Sequence, residues 1–248
     1  MSQIEEVVHD TCEESEVLPV LPLRGLVAFP EMLIHFDVGR LISMKALEQS
    51  MQDNQRLFLT AQRDIRTDAP TTDDLFVVGT VCTVKQILRL PGDNIRVLVE
   101  GSYRAGVEQF SKEDDGCMRA RVFRMETEPG RVSERRKEAL VRALQDRFEE
   151  YAGLASQITN DVVMTVLDGG EPGYLADYVA QNTPLAYETK QELLEELHDV
   201  RRLERVVRVL GHEIEILQIE NSIQDKLKEQ IDKNQKEYSL REQLKIIQ

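Results

Sequence analysis

The last fifty residues of this chain read as one long helix, and the sequence ends inside it. From Asp199 to Gln248 there is no proline, and Gly211 stands alone among good helix formers. Unbroken, such a helix spans about 75 Å at 1.5 Å per residue, far beyond the usual three or four turns. Its end, Ser239-Leu240-Arg241-Glu242-Gln243-Leu244-Lys245-Ile246-Ile247-Gln248, has neither glycine nor proline to close it. A helix that leaves its domain uncapped leads elsewhere, so the expectation is the front part of a larger protein.

The long helix changes along its length. Leu203, Val207, Leu210, Ile214 and Leu217 keep steps of four and three, as a packed helix does. From Glu220 to Ser239 only Ile223, Leu227, Ile231 and Tyr238 are apolar. The first half is therefore expected to dock and the second to project with a thin stripe. Such a stripe suits a coiled-coil contact with another copy or another part of the same protein. The alternative is a charged helix that is simply solvated.

Upstream, the chain changes character near Pro129. Before it, short segments with β-branched content alternate with turn residues, giving candidate strands at 17–23, 32–38, 57–62, 76–90, 95–110 and 118–125. The clearest hairpin joins 76–90 to 95–110 through Pro91-Gly92-Asp93-Asn94. A helix at 41–51 interrupts the series. This many strands suggests a closed or partly closed barrel, which removes vulnerable edges. After Pro129 the period is helical, with Leu140, Leu144, Phe148 and Tyr151 on one face and a stop at Asp168-Gly169-Gly170. Pro172 sits in the first turn of the next helix, and Thr183-Pro184 reads as the N-cap and first residue of a third, running through Leu197. These helices are expected to bundle with the docked part of the long one.

Composition narrows the function. The net charge of −14 argues against a nucleic-acid backbone or an anionic membrane as partner. The first sixteen residues carry Glu5, Glu6, Asp10, Glu13, Glu14 and Glu16 with no Lys or Arg, the pattern of a solvated tail. Nothing at the N-terminus reads as a signal peptide or an Arg-rich transit peptide, and no apolar run approaches membrane-spanning length. Cys12, Cys82 and Cys117 are odd in number and widely spaced, which suits a reducing cytoplasm and gives no disulfide framework or zinc site. His9, His35, His198 and His212 lack ligand spacing, and the acidic clusters Asp73-Asp74 and Glu113-Asp114-Asp115 sit beside turns without the alternating oxygens of a calcium loop. No phosphate loop or nucleophile elbow is present, and no Cys/His pair has a recognisable context. The expectation is a region with no catalytic, cofactor or metal site of its own.

Four segments carry a resemblance. They are Leu18-Pro19-Val20-Leu21-Pro22-Leu23-Arg24-Gly25-Leu26-Val27-Ala28-Phe29-Pro30-Glu31-Met32, Asp74-Leu75-Phe76-Val77-Val78-Gly79-Thr80, Val97-Leu98-Val99-Glu100-Gly101, and Lys236-Glu237-Tyr238-Ser239-Leu240-Arg241-Glu242-Gln243-Leu244-Lys245-Ile246-Ile247-Gln248. Together and in this order they resemble the N-terminal region of bacterial Lon, the ATP-dependent protease. The resemblance implies an α+β fold: an N-terminal PUA-like β-barrel lobe, a helical bundle lobe and a long C-terminal helix leading to an AAA+ ATPase module and a Ser-Lys protease domain. On this reading residues 1–16 are the acidic tail, 17–128 the β-rich lobe, 129–198 the helical lobe and 199–248 the long helix. ATP and magnesium are implied for the full-length protein, with none bound by this part. The implied partners are unfolded or degron-bearing proteins and further copies in a hexamer.

Capture of unfolded chains requires accessible apolar surface, because its burial contributes roughly 25 cal/mol per Å² without directional demands. The hairpin tip offers Ile87, Leu88, Leu90 and Pro91, with Leu88 and Leu90 on one face by strand alternation and Pro22 as a possible neighbour. These are the candidate substrate contacts, although the same residues could equally close the barrel end. Ile223, Leu227 and Ile231 are the candidate self-association residues. The alternatives are a spacer and oligomerisation module, or a free-standing adaptor that binds proteins.

Overall fold

The computed structural model describes residues 15–52, 54–89, 95–113, 116–128 and 132–247, with side chains to 236. Cys12, His9, Leu90, Pro91, the 91–94 turn, Asp114, Asp115 and nearly all of the acidic tail lie outside the described residues. The order of elements is β1 (Glu16–Leu23), β2 (Leu33–Val38), α1 (Leu41–Gln52), β3 (Arg56–Ala61), β4 (Val78–Arg89), β5 (Ile95–Lys112) and β6 (Met118–Arg124). Then follow α2 (Glu134–Leu154), α3 (Asn160–Leu167), α4 (Pro172–Asn182), α5 (Tyr187–Glu195) and α6 (Asp199–Ile247). This is a mixed α+β fold.

Closure of the barrel depends on the length of β5. Its first half pairs with β2 and β4, and its second half, from Ala105 to Lys112, pairs with β6. Strand β6 returns to β1, β1 runs parallel to β3, and β3 is antiparallel to β4, so the ring closes as β1-β3-β4-β5-β6. Register shifts at Val81/Cys82 and Val84/Gln86 bend β4, and one at Val107/Gln109 bends β5, as a small barrel requires. Close approach of the chain demands glycine at position 101, where a Cβ would lie 2.1 Å from the Phe29 carbonyl oxygen.

Strand β3 buries both faces. Leu57 and Leu59 enter a cluster with Leu21, Phe36, Val84, Val97 and the α1 residues Ala46 and Leu47. Phe58, between them, enters a second cluster with Val20, Val81, Ala120 and Val122. A third cluster joins the two lobes: Val27, Phe29, Met32 and Val78 from the β-rich part pack with Leu144, Phe148, Leu175, Val179, Leu193 and Leu203 from the helices. The linker after β6 is stitched to the base of α6, with the Glu128 amide donating to the Leu197 carbonyl and the Asp199 amide to the Glu128 carbonyl.

Two helix boundaries differ from the sequence reading. The helical run up to Asp168 is split, because Ala155 and Thr159 are extended and separate α2 from α3. This fold-back brings Val166 into the shared core. Thr183 does not open a helix; its amide donates to the Val179 carbonyl at 3.0 Å and it caps the end of α4. The residue before a proline is forced extended, which stops a helix as readily as it starts one. Helix α5 begins only at Tyr187, after Ala186. Asp73 and Asp74 lie in a short 3-10 turn, where Asp74 Oδ2 accepts from the Thr71 amide and hydroxyl.

Candidate functional site

One wall of the barrel is incomplete. Strand β1 meets β6 only through residues 16–19, and β2 meets β5 through one edge alone. Between residues 21–23 of β1 and 36–38 of β2 lies a groove of about 320 Å³, lined by Pro22, Leu26, Phe36, Asp37, Arg40 and Ser43 among others. Arg40 spans it. Its Nη2 donates to the Pro22 carbonyl and its Nη1 to Gln62 Oε1, both at 2.6 Å, and Gln62 Nε2 donates on to the Thr67 carbonyl at 2.9 Å. Burial lowers the Arg40 pKa from its ordinary value, and the Arg24 charge lowers it further.

Exposed apolar side chains occur in the groove's lining and on segments tied to its walls. Leu26 lines it, and Leu41 follows Arg40 at the start of α1 with 73% of its surface open. Ile65, also exposed, lies against the 24–26 loop, where Arg24 Nε donates to its carbonyl at 2.5 Å. The hairpin root joins the same end: Ile95 pairs with Val38 of β2 and with Arg89 of β4. Leu88, 48% exposed, pairs with Arg96, and Arg96 Nε donates to Asp37 Oδ1 at 2.7 Å on the groove's rim. That bond holds the Asp37 carboxyl below the usual carboxylate range.

The candidate contacts thus divide. Pro22 is buried, with its carbonyl engaged by Arg40, so it lines the groove without offering a free face. Ile87 is half-buried and packs on the cluster beneath the groove. Leu88 is open, while Leu90 and Pro91 lie outside the described residues. Leu26, Leu41 and Ile65 escaped the sequence reading, because nothing in a single chain says that three separate segments meet at one barrel end. The only local signal was a leucine opening α1 directly after Gly39-Arg40.

A second cavity of about 520 Å³ separates the barrel from the helices. Its floor is a buried ionic triad. Arg104 Nη2 donates to Asp177 Oδ1 at 2.5 Å, and Arg202 Nε lies 3.0 Å from the same oxygen. Arg104 also donates to the Leu194 carbonyl and Arg202 to that of Glu196, so the three charges tie β5, α4, α5 and α6 together. The triad braces the two lobes.

On α6, Leu203, Leu210 and Ile214 are buried against α2 and α4, with Val207 and Leu217 packed at the edge of the same core. Ile219, Ile223, Leu227 and Ile231 are each more than half exposed. Among the described residues no group of three His, Cys, Asp or Glu side chains is placed to hold a metal ion. No described helix is long and apolar enough to cross a membrane.

A family model described as the ATP-dependent protease La (LON) substrate-binding domain matches residues 17–212. The chain belongs to the Lon family. Curated Lon relatives include Lon protease of Clostridium acetobutylicum, 42% identical over 236 residues, which cover 95% of this chain and 30% of that protein. Lon protease 1 of Bacillus subtilis is 40% identical over 231 residues, 93% of this chain and 30% of its own length. The chain therefore spans about 30% of the length of the Lon relatives it matches. The fold is that of solved Lon N-terminal domains. The Mycobacterium avium complex domain matches with a TM-score of 0.63 and 18% identity, covering 81% of this chain and 98% of that one. The Xanthomonas campestris domain matches with a TM-score of 0.56 and 16% identity, over 78% and 98%.

Proposed function

We propose that this chain is the non-catalytic, substrate-recognising region of an ATP-dependent Lon protease that works in the cytoplasm on unfolded, damaged or degron-bearing proteins. ATP, magnesium, the AAA+ motor and the Ser-Lys peptidase belong, on this reading, to the rest of the protein. The observation that carries it is a set of open apolar side chains at one end of the barrel: Leu26 in the groove's lining, and Leu41, Ile65 and Leu88 on segments tied to its walls. Burying a fully exposed leucine contributes about 1.5–3 kcal/mol, and these partly open side chains contribute a proportionate share each, so several contacts together hold an unfolded segment without reading its sequence. Helix α6 would carry that barrel end on a rigid arm. A test is the double substitution Leu41→Ser with Leu88→Ser. It should weaken capture of a permanently unfolded, casein-like protein while circular dichroism stays unchanged; equal capture by the variant would refute this placement.

Assembly is the companion role. Exposed Ile223, Leu227 and Ile231 on the projecting half of α6 favour contact with another copy within a hexamer. Truncation after Glu220 should then abolish self-association, and an unchanged oligomeric state would move assembly to the barrel or helical lobe.

A further inference from the structure

Strand β2 uses one edge on β5, and among the described residues no strand lies along the other. It stands at the end of the sheet order, and its six residues pair with β5 in unbroken register from Leu33↔Glu100 to Val38↔Ile95. Just before it, the Gly101 amide donates to the Met32 carbonyl at 2.9 Å. That bond turns the Met32 carbonyl toward β5, and strand alternation turns the backbone polar groups of Ile34, Phe36 and Val38 the same way. The N–H and C=O of Leu33, His35 and Asp37 therefore point away from β5. Among the described residues no strand takes them up.

Free edges are normally protected by proline, lysine or a bulge. Strand β2 has none of these. Its exposed acid, Asp37, is neutralised by Arg96, and Leu33 is 61% open. Its buried residues Ile34, Phe36 and Val38 anchor it in the barrel core, so the edge is rigid. Donors and acceptors that alternate at about 6.8 Å along a straight edge are satisfied by another extended polypeptide.

We propose that the free edge of β2, at Leu33, His35 and Asp37, captures an extended segment of an unfolded polypeptide by strand addition. The proposal rests on the reading of this chain as a substrate-capturing domain and specifies how the capture is made. Backbone pairing reads no side chains, which suits a domain serving many substrates. Leu33 supplies an apolar contact to one side chain of the incoming strand. The neighbouring groove, with Leu26 in its lining and Leu41 beside it, then adds apolar area at the same end of the barrel.

The test uses the full chain and a labelled decapeptide of alternating valine and threonine. Two further versions are N-methylated, one at every valine and one at every threonine, which removes the amide donors of one edge or the other without changing the side chains. Strand addition predicts binding of the parent, slowed exchange of the Leu33, His35 and Asp37 amides, and binding at least about tenfold weaker for one methylated version or both. On the protein side, His35→Pro removes an outward N–H while sparing the ladder to β5, and should weaken parent binding similarly. If that variant fails to fold, the peptide series still decides. Equal binding of all three peptides, or protection confined to other residues, overturns strand addition while leaving substrate capture standing. If neither the peptide nor a casein-like protein binds, both readings fall. Self-association that His35→Pro abolishes would assign the edge to a second copy and overturn the proposal.

Discussion

Arg40 reaches across the open seam of the barrel to Pro22, its Nη2 donating to the proline carbonyl at 2.6 Å. Proline has no amide to offer a neighbouring strand, so a side chain from the start of α1 fills the place that a ladder bond would take. Replacing it as Arg40→Met leaves the Pro22 carbonyl and Gln62 Oε1 without their donors. A loss of about 1–3 kcal/mol is expected, read as a lower urea midpoint with an unchanged slope. A variant as stable as the parent would mean that water replaces the guanidinium without cost.

The brace between the lobes is more demanding. Asp177 is buried and faces both Arg104 and Arg202, so Asp177→Ala leaves two buried guanidinium groups without their carboxylate. Breaking a buried pair in this way costs about 3–5 kcal/mol. Denaturant unfolding checks it, and a loss below about 1 kcal/mol would remove the triad from the account of lobe packing.

Gly173 makes room for that triad. A Cβ placed on it would lie 2.8 Å from Arg202 Nη2. Gly173→Ala is therefore expected to destabilise by about 1–3 kcal/mol, as overpacking does, although alanine is the better helix former. Gly211 predicts the reverse. A Cβ there would meet nothing within 4 Å, so Gly211→Ala should stabilise α6 by about 0.5–1 kcal/mol. Thermal unfolding of the two variants gives shifts of opposite sign, and shifts of the same sign would contradict the packing described.

Lys190 gives a dependence on pH. It is half-buried, its Nζ donates to the Gln181 carbonyl at 3.3 Å, and burial lowers its pKa from 10.5 to about 8. Between those two values the unfolded chain holds a proton that the folded chain has released, so this group adds stability as pH rises. Below about pH 8 both states are protonated and the cost of burying the cation is fully present. Lys190→Met should thus gain most over the parent near pH 7, with the gap narrowing toward pH 10.5. A constant gap across that range would place the ammonium in solvent.

Much of the fold was legible because it rests on local pattern. The six strands and α1 follow alternation and turn residues, and α6 follows four-three spacing without proline, so their boundaries emerge within a few residues. Thr183 is ambiguous in the sequence because an extended residue before proline marks a helix end and a helix start alike. The split between α2 and α3 was missed because it serves a tertiary need, the burial of Val166. The site was legible only in part. Leu88 could be found from the hairpin, but Pro22 as a free contact could not survive knowledge of Arg40. The triad was invisible: Arg104 and Asp177 lie 73 residues apart, and nothing local marks either as buried.

The most direct test of substrate capture at the barrel end is hydrogen exchange of this chain, alone and with a permanently unfolded, casein-like protein. Capture at the barrel end predicts new protection in residues 33–41 and around Leu88 and Arg96, with the helical lobe unchanged. Protection confined to α6, or none at concentrations well above those in a cell, would contradict it and leave spacing and assembly as the work of this region.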